Sequence, residues 1–193
     1  MRPTIYKIKI SLIQSKPLIW RTVLVQDNTT MYNFHKIIQT SMGWTNSHLH
    51  QFTTNDEKSY TKFYASLEDD FADNDMLYYE GLILSDFMKT PGDNLLYEYD
   101  FGDGWNHTLL LEAIEEPKPY LQYPVCIDGK RNCPPEDVGG LGGFYEMLRI
   151  LKKPSHPEYR SYLTWVGGYY DADELDLFRV NKLLSRKDLG IRE

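Results

Sequence analysis

The chemically capable residues of the chain concentrate in one stretch, YEYDFGDGWNHTLLLE, which runs from Tyr97 to Glu112. It places carboxylates, a histidine and a tryptophan around a tight glycine turn. A carboxylate beside an imidazole can orient a general base, raise its basicity or complete a metal site. The same residues can also stabilise a hairpin without any reaction, because structural ion pairs perturb histidines as well. A reactive site and a structural hairpin are therefore both open readings of this stretch.

The dipeptide DG in this stretch is a strong signal for a two-residue hairpin turn. Whether DG or the preceding GD forms the turn, alternation of strand side chains puts the same four residues on one face. An odd-length loop or a bulge within GDG would break this relation. We predict a shared face with an acid opposite the histidine, formed by Glu98, Asp100, Trp105 and His107.

Two further segments could supply metal ligands. In HLH, His48 and His50 stand two residues apart and share a face if the segment is extended, which is a weak metal signal by itself. Cys126 and Cys133 have six residues between them. This separation is unlike the usual spacing of zinc-binding cysteines, so two packed, inert thiols are the alternative.

The segment CPPEDVGG presents two acids, Glu136 and Asp137, on a stiffened loop. The prolines restrict the approach to the acids, and the glycines after them allow sharp turns or close backbone approach. The acids could reach a shared site, or they could cap nearby backbone amides.

These observations define two sets of candidate residues. A low-specificity metal site would draw on His48, His50, Asp100, His107, Cys126 and Cys133. A candidate groove would be lined by Glu98, Asp100, Asp103, Trp105, His107, Glu136, Asp137 and Trp44. The donors suit zinc, manganese or iron, so the cofactor expectation is a divalent transition metal of open identity. No catalytic residue is assigned.

The elements that must position these residues indicate an α+β fold. Period-two patterns predict an N-terminal hairpin. Apolar residues at helical spacing predict a helix from Met31 to Met42, ended by Gly43. Further strands follow, with a short helix capped by Ser85, which gives a mixed sheet that could be β-grasp-like. Residues 55–75 look like a polar, acidic excursion with an edge strand in SYTKFYA.

From residue 116 the chain becomes an irregular Pro/Gly-rich segment and then predicts helices in FYEMLRILKK, SHPEYRSYLTWVG and DLFRVNKLLSR. SHPEYRSYLTWVG has Ser155 and Glu158 at capping-box spacing. We expect one domain over residues 1–193, in which a sheet-plus-helix part (1–115) carries a helical layer (116–193).

Composition narrows the function classes. The chain has 193 residues, a formal net charge of −7 and 15 tyrosines. The acidic balance disfavours nucleic acid as a partner, because phosphate binding needs clustered Lys and Arg. The apolar runs are too short to span a membrane, no secretory leader is recognised, and two cysteines make no disulfide framework, so a cytoplasmic location is expected.

Five stretches together resemble the plasmid pRiA4b ORF-3-like family: PLIWRTVLV, IIQTSMGW with SHLHQF, YEYDFGDGWNHTLLLE, YPVCIDGKRNCPPEDVGGLGGFYEML and the closing HPEY…W…YD…FRVN. The resemblance covers about Ile5 to Leu184. It implies a small, cytoplasmic α+β protein, with some relatives carried on plasmids or as passengers of mobile elements. It brings no established reaction. The resolvase-like label of some members gains no support here, since no serine nucleophile stands in a recognisable context.

Two functions follow as hypotheses. The first is a non-enzymatic binding or adaptor module with an unknown protein or small-molecule partner, favoured because no catalytic set is complete. The second is a metal-dependent hydrolase with an Asp/His/Cys/Glu cluster, which requires residues distant in sequence to converge. The first is preferred, and whether the protein is an enzyme is left open.

Overall fold

The N-terminal patterns produce the predicted hairpin and helix. The structure, a computed structural model, describes residues 4–54, 62–64 and 77–191. Strands β1 (Ile5–Leu12) and β2 (Trp20–Gln26) pair antiparallel, and helix α1 (Met31–Met42) follows. The Thr30 side chain accepts the first-turn N–H of Asn33, and α1 ends at Gly43 in the left-handed region (φ 99°), which glycine adopts without penalty.

The remaining elements complete an α+β architecture, as predicted. The strands are β3 (His50–Thr54), β4 (Lys62–Tyr64), β5 (Leu77–Tyr78), β6 (Asn94–Tyr99), β7 (Trp105–Glu115) and β8 (Val125–Lys130). The helices are α2 (Leu84–Phe87), α3 (Gly140–Leu151), α4 (Tyr159–Trp165) and α5 (Leu177–Leu184).

The strands form one sheet in the order β5-β4-β3-β6-β7-β1-β2-β8, antiparallel except for the short β4–β5 pair. Strand β1 is antiparallel to both of its neighbours, β2 and β7. The pairing therefore differs from a β-grasp, in which the first and last strands run parallel.

Several local predictions need correction. The Pro/Gly-rich segment contains strand β8, which carries Cys126. Ser85 lies inside α2, whose N-cap is Ile83, and α4 begins after Glu158 and not after Ser155. The acidic excursion at 55–75 lies outside the described residues except for β4.

One face of the sheet is buried under helices. Along β6, and along β7 from Trp105 to Leu111, every second residue is buried, the pattern expected when one sheet face packs on a core. Helix α1 lies on this face, where the rings of Phe34 and Phe52 stack at 6.3 Å. Phe144 of α3 and Leu184 of α5 belong to the same apolar core, so the C-terminal helices extend the helical layer.

The β6–β7 hairpin has a register that the sequence did not predict. Tyr97 pairs with His107 and Tyr99 with Trp105, which leaves a five-residue loop, residues 100–104. An odd loop reverses the parity of the two strands. Glu98 consequently lies on the face opposite His107, so the prediction of a shared face is wrong.

No helix in the described part of the chain is both long and apolar enough to cross a membrane.

The packing of α1 on the sheet can be tested at Phe34, which is fully buried. We expect Phe34→Ala to lower the free energy of unfolding by about 3–5 kcal/mol, because it removes a core ring and leaves a cavity. Phe178→Ala on α5 is the matched control, since that ring is 80% exposed; its effect should stay within about 0.5 kcal/mol. Urea denaturation measures both, and equal effects would contradict this account of the core.

Candidate functional site

A histidine and two aspartates from separate segments meet at one end of the sheet. His48 Nε2 lies 3.0 Å from Asp137 Oδ1 and 3.6 Å from Asp100 Oδ2. The three ligand atoms all lie within 4.8 Å of one another. His48 Nε2 makes no hydrogen bond of acceptable geometry, although it is screened from solvent. We call these three residues the His-Asp-Asp cluster.

The hairpin loop presents Asp100 to this cluster. Its Oδ1 accepts the backbone N–H groups of Gly102 (3.0 Å) and Asp103 (3.3 Å), which closes a turn typical of aspartate. The other carboxylate oxygen, Oδ2, is thereby directed towards His48. Asp100 is 8% exposed and has φ 54°, a left-handed conformation that non-glycine residues rarely adopt.

The Pro-Pro-Glu-Asp loop presents Asp137 from the other side. The two loops touch: Gly139 N–H donates to Asp103 Oδ2 at 3.1 Å. Gly140 is required at this contact, because a Cβ there would lie 2.6 Å from the Asp103 carbonyl oxygen. Asp137 itself is exposed and has φ 61°.

Glu136 fastens the segments together without joining the cluster. Its carboxylate accepts Tyr99 O–H at 2.5 Å, the Thr45 hydroxyl at 2.5 Å and the Thr45 N–H at 3.1 Å. Burial and the adjacent Glu136 charge raise the pKa of Tyr99, which keeps the phenol protonated as a donor. We call these hydrogen bonds of Glu136 with Tyr99 and Thr45 the brace. Each of its three residues lies close in sequence to one member of the cluster, so the brace positions all three members.

The cluster offers three ligand atoms of the kinds that divalent cations coordinate. Imidazole nitrogen and carboxylate oxygen are ligands for zinc, manganese and iron. Three protein ligands leave coordination positions for water or a ligand molecule.

His50 does not join the cluster, so HLH is not a ligand pair. His50 begins β3 and points into the core, where its ring stacks on His35 with centroids 3.4 Å apart. Its Nε2 is bonded to Tyr79 Oη at 2.7 Å, and His35 Nδ1 to Tyr97 Oη at 2.8 Å. Burial lowers the pKa of both histidines, to about 4 for His35. His35 gave no metal or catalytic pattern in the sequence and was missed.

His107 is a core residue and not a ligand. It is fully buried, with the Trp44 indole edge-on at 5.3 Å. Neither ring nitrogen makes a well-formed hydrogen bond within the described residues. Burial lowers the pKa of His107 to about 4, so the ring is neutral at pH 7. Trp105 is equally buried beside it.

The other predicted residues occupy separate places. Cys126 and Cys133 are buried free thiols, and burial raises the pKa of Cys126 to about 11 and that of Cys133 further. Both thiols lie apart from the cluster, consistent with the alternative of inert packing. Glu98 accepts a hydrogen bond from Gln51 on the opposite face of the sheet. Trp44 donates to the Pro134 carbonyl oxygen at 3.0 Å.

A groove of about 820 Å³ opens where the end of α1 meets the C-terminal helices. Trp44 is the one predicted groove residue that lines it, together with Cys133 from the metal set. Buried Arg21 and Ser41 line the groove as well, although their positions in the sequence predict no role for either. The sequence does indicate that Arg21 is buried, because strand residues alternate sides and Arg21 therefore shares the inward face of β2 with Val23 and Val25.

Comparisons with known proteins place these features in a family. The sequence pattern described as "Plasmid pRiA4b ORF-3-like protein" matches residues 4–179. The chain is similar to the uncharacterized protein y4hQ of Sinorhizobium fredii, with 30% identity over 94% of this chain and 91% of the relative. It is also similar to the crystal structure of the protein of unknown function MM3350 from Methanosarcina mazei Go1. That likeness has a TM-score of 0.82 and 34% identity, over 92% of this chain and 98% of the other.

The neutral histidines predict acid sensitivity. The folded-state pKa of His107 is about 4 and its ordinary value is 6.5. Between these values the unfolded chain binds a proton that the folded chain does not, so stability falls as the pH falls. We expect His107 to account for about 2 kcal/mol of lost stability between pH 7.5 and pH 5.

Urea denaturation at both pH values checks this expectation against the variant His107→Phe. The variant should keep more of its stability at pH 5 than the original chain does. His35 and His50, whose pKa values burial also lowers, contribute acid sensitivity in both proteins. An unchanged pH dependence in His107→Phe would contradict the assignment.

Proposed function

The chain belongs to the plasmid pRiA4b ORF-3-like family, and on that premise we propose that it is a metal-dependent binding module. His48, Asp100 and Asp137 hold one divalent transition-metal ion, and the ion recruits the bound partner through its open positions. The observation that supports this proposal is the convergence of three ligand atoms, within 4.8 Å of one another, from three distant segments.

The spacing of the cluster suits a metal ion. Bonds of about 2.0–2.2 Å to zinc separate neighbouring ligand atoms by roughly 3–3.5 Å. His48 Nε2 lies 3.0 Å from one aspartate oxygen and 3.6 Å from the other, so small side-chain adjustments suffice. The imidazole favours zinc, manganese or iron over magnesium, which prefers oxygen ligands and retained water.

The backbone at both aspartates supports a functional role. Asp100 and Asp137 have φ of 54° and 61°, conformations that cost free energy in residues other than glycine. Such conformations concentrate at functional sites, where the surrounding structure holds them. Here Glu136 and the contact between the two loops provide that support.

Hydrolysis is a second candidate function, and the open coordination favours it. An ion with three protein ligands can bind water, lower its pKa and deliver hydroxide to a carbonyl or phosphoryl group. The support for acid–base catalysis beside the ion is weaker than the support for metal binding. His107 lies in the core, and Glu136 is engaged by Tyr99 and Thr45. Binding without turnover is therefore preferred.

Metal titration tests the proposal directly. We expect the chelator-stripped protein to bind one Zn²⁺ or Mn²⁺ per chain by isothermal titration calorimetry. His48→Ala and Asp137→Ala each remove a ligand and should abolish this binding. Glu136→Gln keeps every ligand but weakens the brace, so affinity should fall about tenfold, as for other groups that orient ligands.

The control for the histidine variant is His156→Ala, which removes an imidazole from the segment before α4 and should leave the affinity unchanged. Circular dichroism establishes that each variant is folded. Equal metal binding by His48→Ala and by the original chain would overturn the proposal.

The hydrolytic candidate has its own measurement. If the ion activates water, the zinc-loaded protein should cleave p-nitrophenyl acetate faster than Zn²⁺ alone, and Asp137→Ala should lose that excess because it loses the ion. A metal-loaded protein with no excess rate would leave the binding role in place and reject hydrolysis of this ester class. An excess rate retained in Asp137→Ala would place the activity elsewhere in the chain.

A further inference from the structure

Arg21 is a buried cation at the wall of the groove. It is 2% exposed, yet it is among the residues that line the groove between α1 and the C-terminal helices. Its guanidinium donates to three backbone carbonyl oxygens, with Nε reaching Ser41 at 2.8 Å and Nη1 reaching Trp20 and Lys130 at 2.8 and 3.1 Å. The remaining nitrogen, Nη2, donates no hydrogen bond to residues 4–54 or 77–191.

The titratable groups that act electrostatically on Arg21 carry no opposite charge. These groups are Cys133, Cys126 and Tyr170, and burial raises the pKa of each of them. All three are therefore neutral at pH 7. No carboxylate pairs with Arg21 in the part of the chain that the structure describes. A buried charge of this kind is costly unless an anion completes it.

Ser41 supplies a second donor at the same place. It is 1% exposed, lines the groove, and its hydroxyl has no hydrogen-bond partner among the described atoms. The backbone carbonyl oxygen of the same residue accepts the Arg21 Nε–H, so Ser41 is in direct contact with the guanidinium. Buried polar groups without partners are uncommon, and one explanation is a ligand that supplies the missing bond.

We propose that this groove binds a small carboxylate ligand, whose carboxylate is held by Arg21 Nη2 and the Ser41 hydroxyl. The walls include the aromatic rings of Trp44, Tyr169 and Tyr170, which fit an apolar or aromatic body. The subsite is separate from the His-Asp-Asp cluster and does not depend on a metal ion.

The charges around the groove favour a carboxylate over a phosphate. Two guanidiniums, of Arg21 and Arg179, line it together with the carboxylates of Asp171, Glu174 and Asp176. The side chain of Asp176 also accepts the backbone N–H of Arg179 at the start of α5. The three acids repel a dianion more strongly than a monoanion, so a singly charged carboxylate is favoured over a doubly charged phosphate.

Benzoate is the probe that tests the subsite, with benzamide as its uncharged counterpart of the same shape. The protein is first stripped of metal and the chelator removed, so that a carboxylate–metal contact cannot contribute. Calorimetric titration should give saturable benzoate binding about tenfold tighter than benzamide binding, the ratio expected for a hydrogen bond with charged partners. Inorganic phosphate at matched ionic strength should bind more weakly than benzoate.

Variants locate the binding. Arg21→Met should remove the preference for benzoate over benzamide, and Ser41→Ala should reduce it.

Since Arg21→Met changes a buried residue and could unfold the chain, Tyr169→Asp gives an independent test at a groove residue that is 68% exposed. Its negative charge should weaken benzoate binding severalfold and leave benzamide binding nearly unchanged. Tyr120→Asp, at an 80% exposed tyrosine outside the groove, is the matched control and should alter neither.

Three results would overturn the proposal. They are the absence of saturable benzoate binding, equal effects of Tyr169→Asp and Tyr120→Asp, and tighter binding of phosphate than of benzoate. None of these results depends on whether the His-Asp-Asp cluster binds metal.

Discussion

One carboxylate, that of Glu136, holds together the end of the sheet where the candidate site lies. It receives hydrogen bonds from Tyr99 at the end of β6 and from Thr45 after α1. Each of these three residues stands within a few positions of one member of the cluster. A hydrogen bond to an ionised acceptor is stronger than one between neutral groups. The geometry of His48, Asp100 and Asp137 therefore rests on a residue that is not itself a ligand.

The sequence predicted the elements of this fold better than it predicted their contacts. Amphipathic spacing located α1 and its glycine stop, and alternation located the first hairpin, because both patterns depend on local geometry. The predicted two-residue turn between β6 and β7 was wrong. Asp100 adopts a left-handed conformation and accepts the loop N–H groups, and the loop therefore has five residues. That choice depends on side-chain bonding, and the dipeptide pattern does not encode it.

The candidate site was predicted in part. His48 and Asp100 were named as metal candidates and Asp137 as a groove residue, but their meeting is a long-range property of the folded chain. The two histidines of HLH do not face the same site, because His50 starts a strand and points into the core, while His48 lies in the preceding loop. No role was predicted for Arg21, because an arginine within a β-rich run usually points to solvent, and its parity with Val23 and Val25 indicates otherwise.

The members of the His-Asp-Asp cluster come from the first, middle and last thirds of the chain. Any ion they hold acts as a noncovalent cross-link that closes two long chain loops at once. Such a link cannot form in the unfolded chain, so its binding free energy is added to the stability of the folded state alone. Assembly of the cluster is then coupled to completion of the fold: a nascent chain acquires the full ligand set only after its Pro-Pro-Glu-Asp loop has been synthesised and docked.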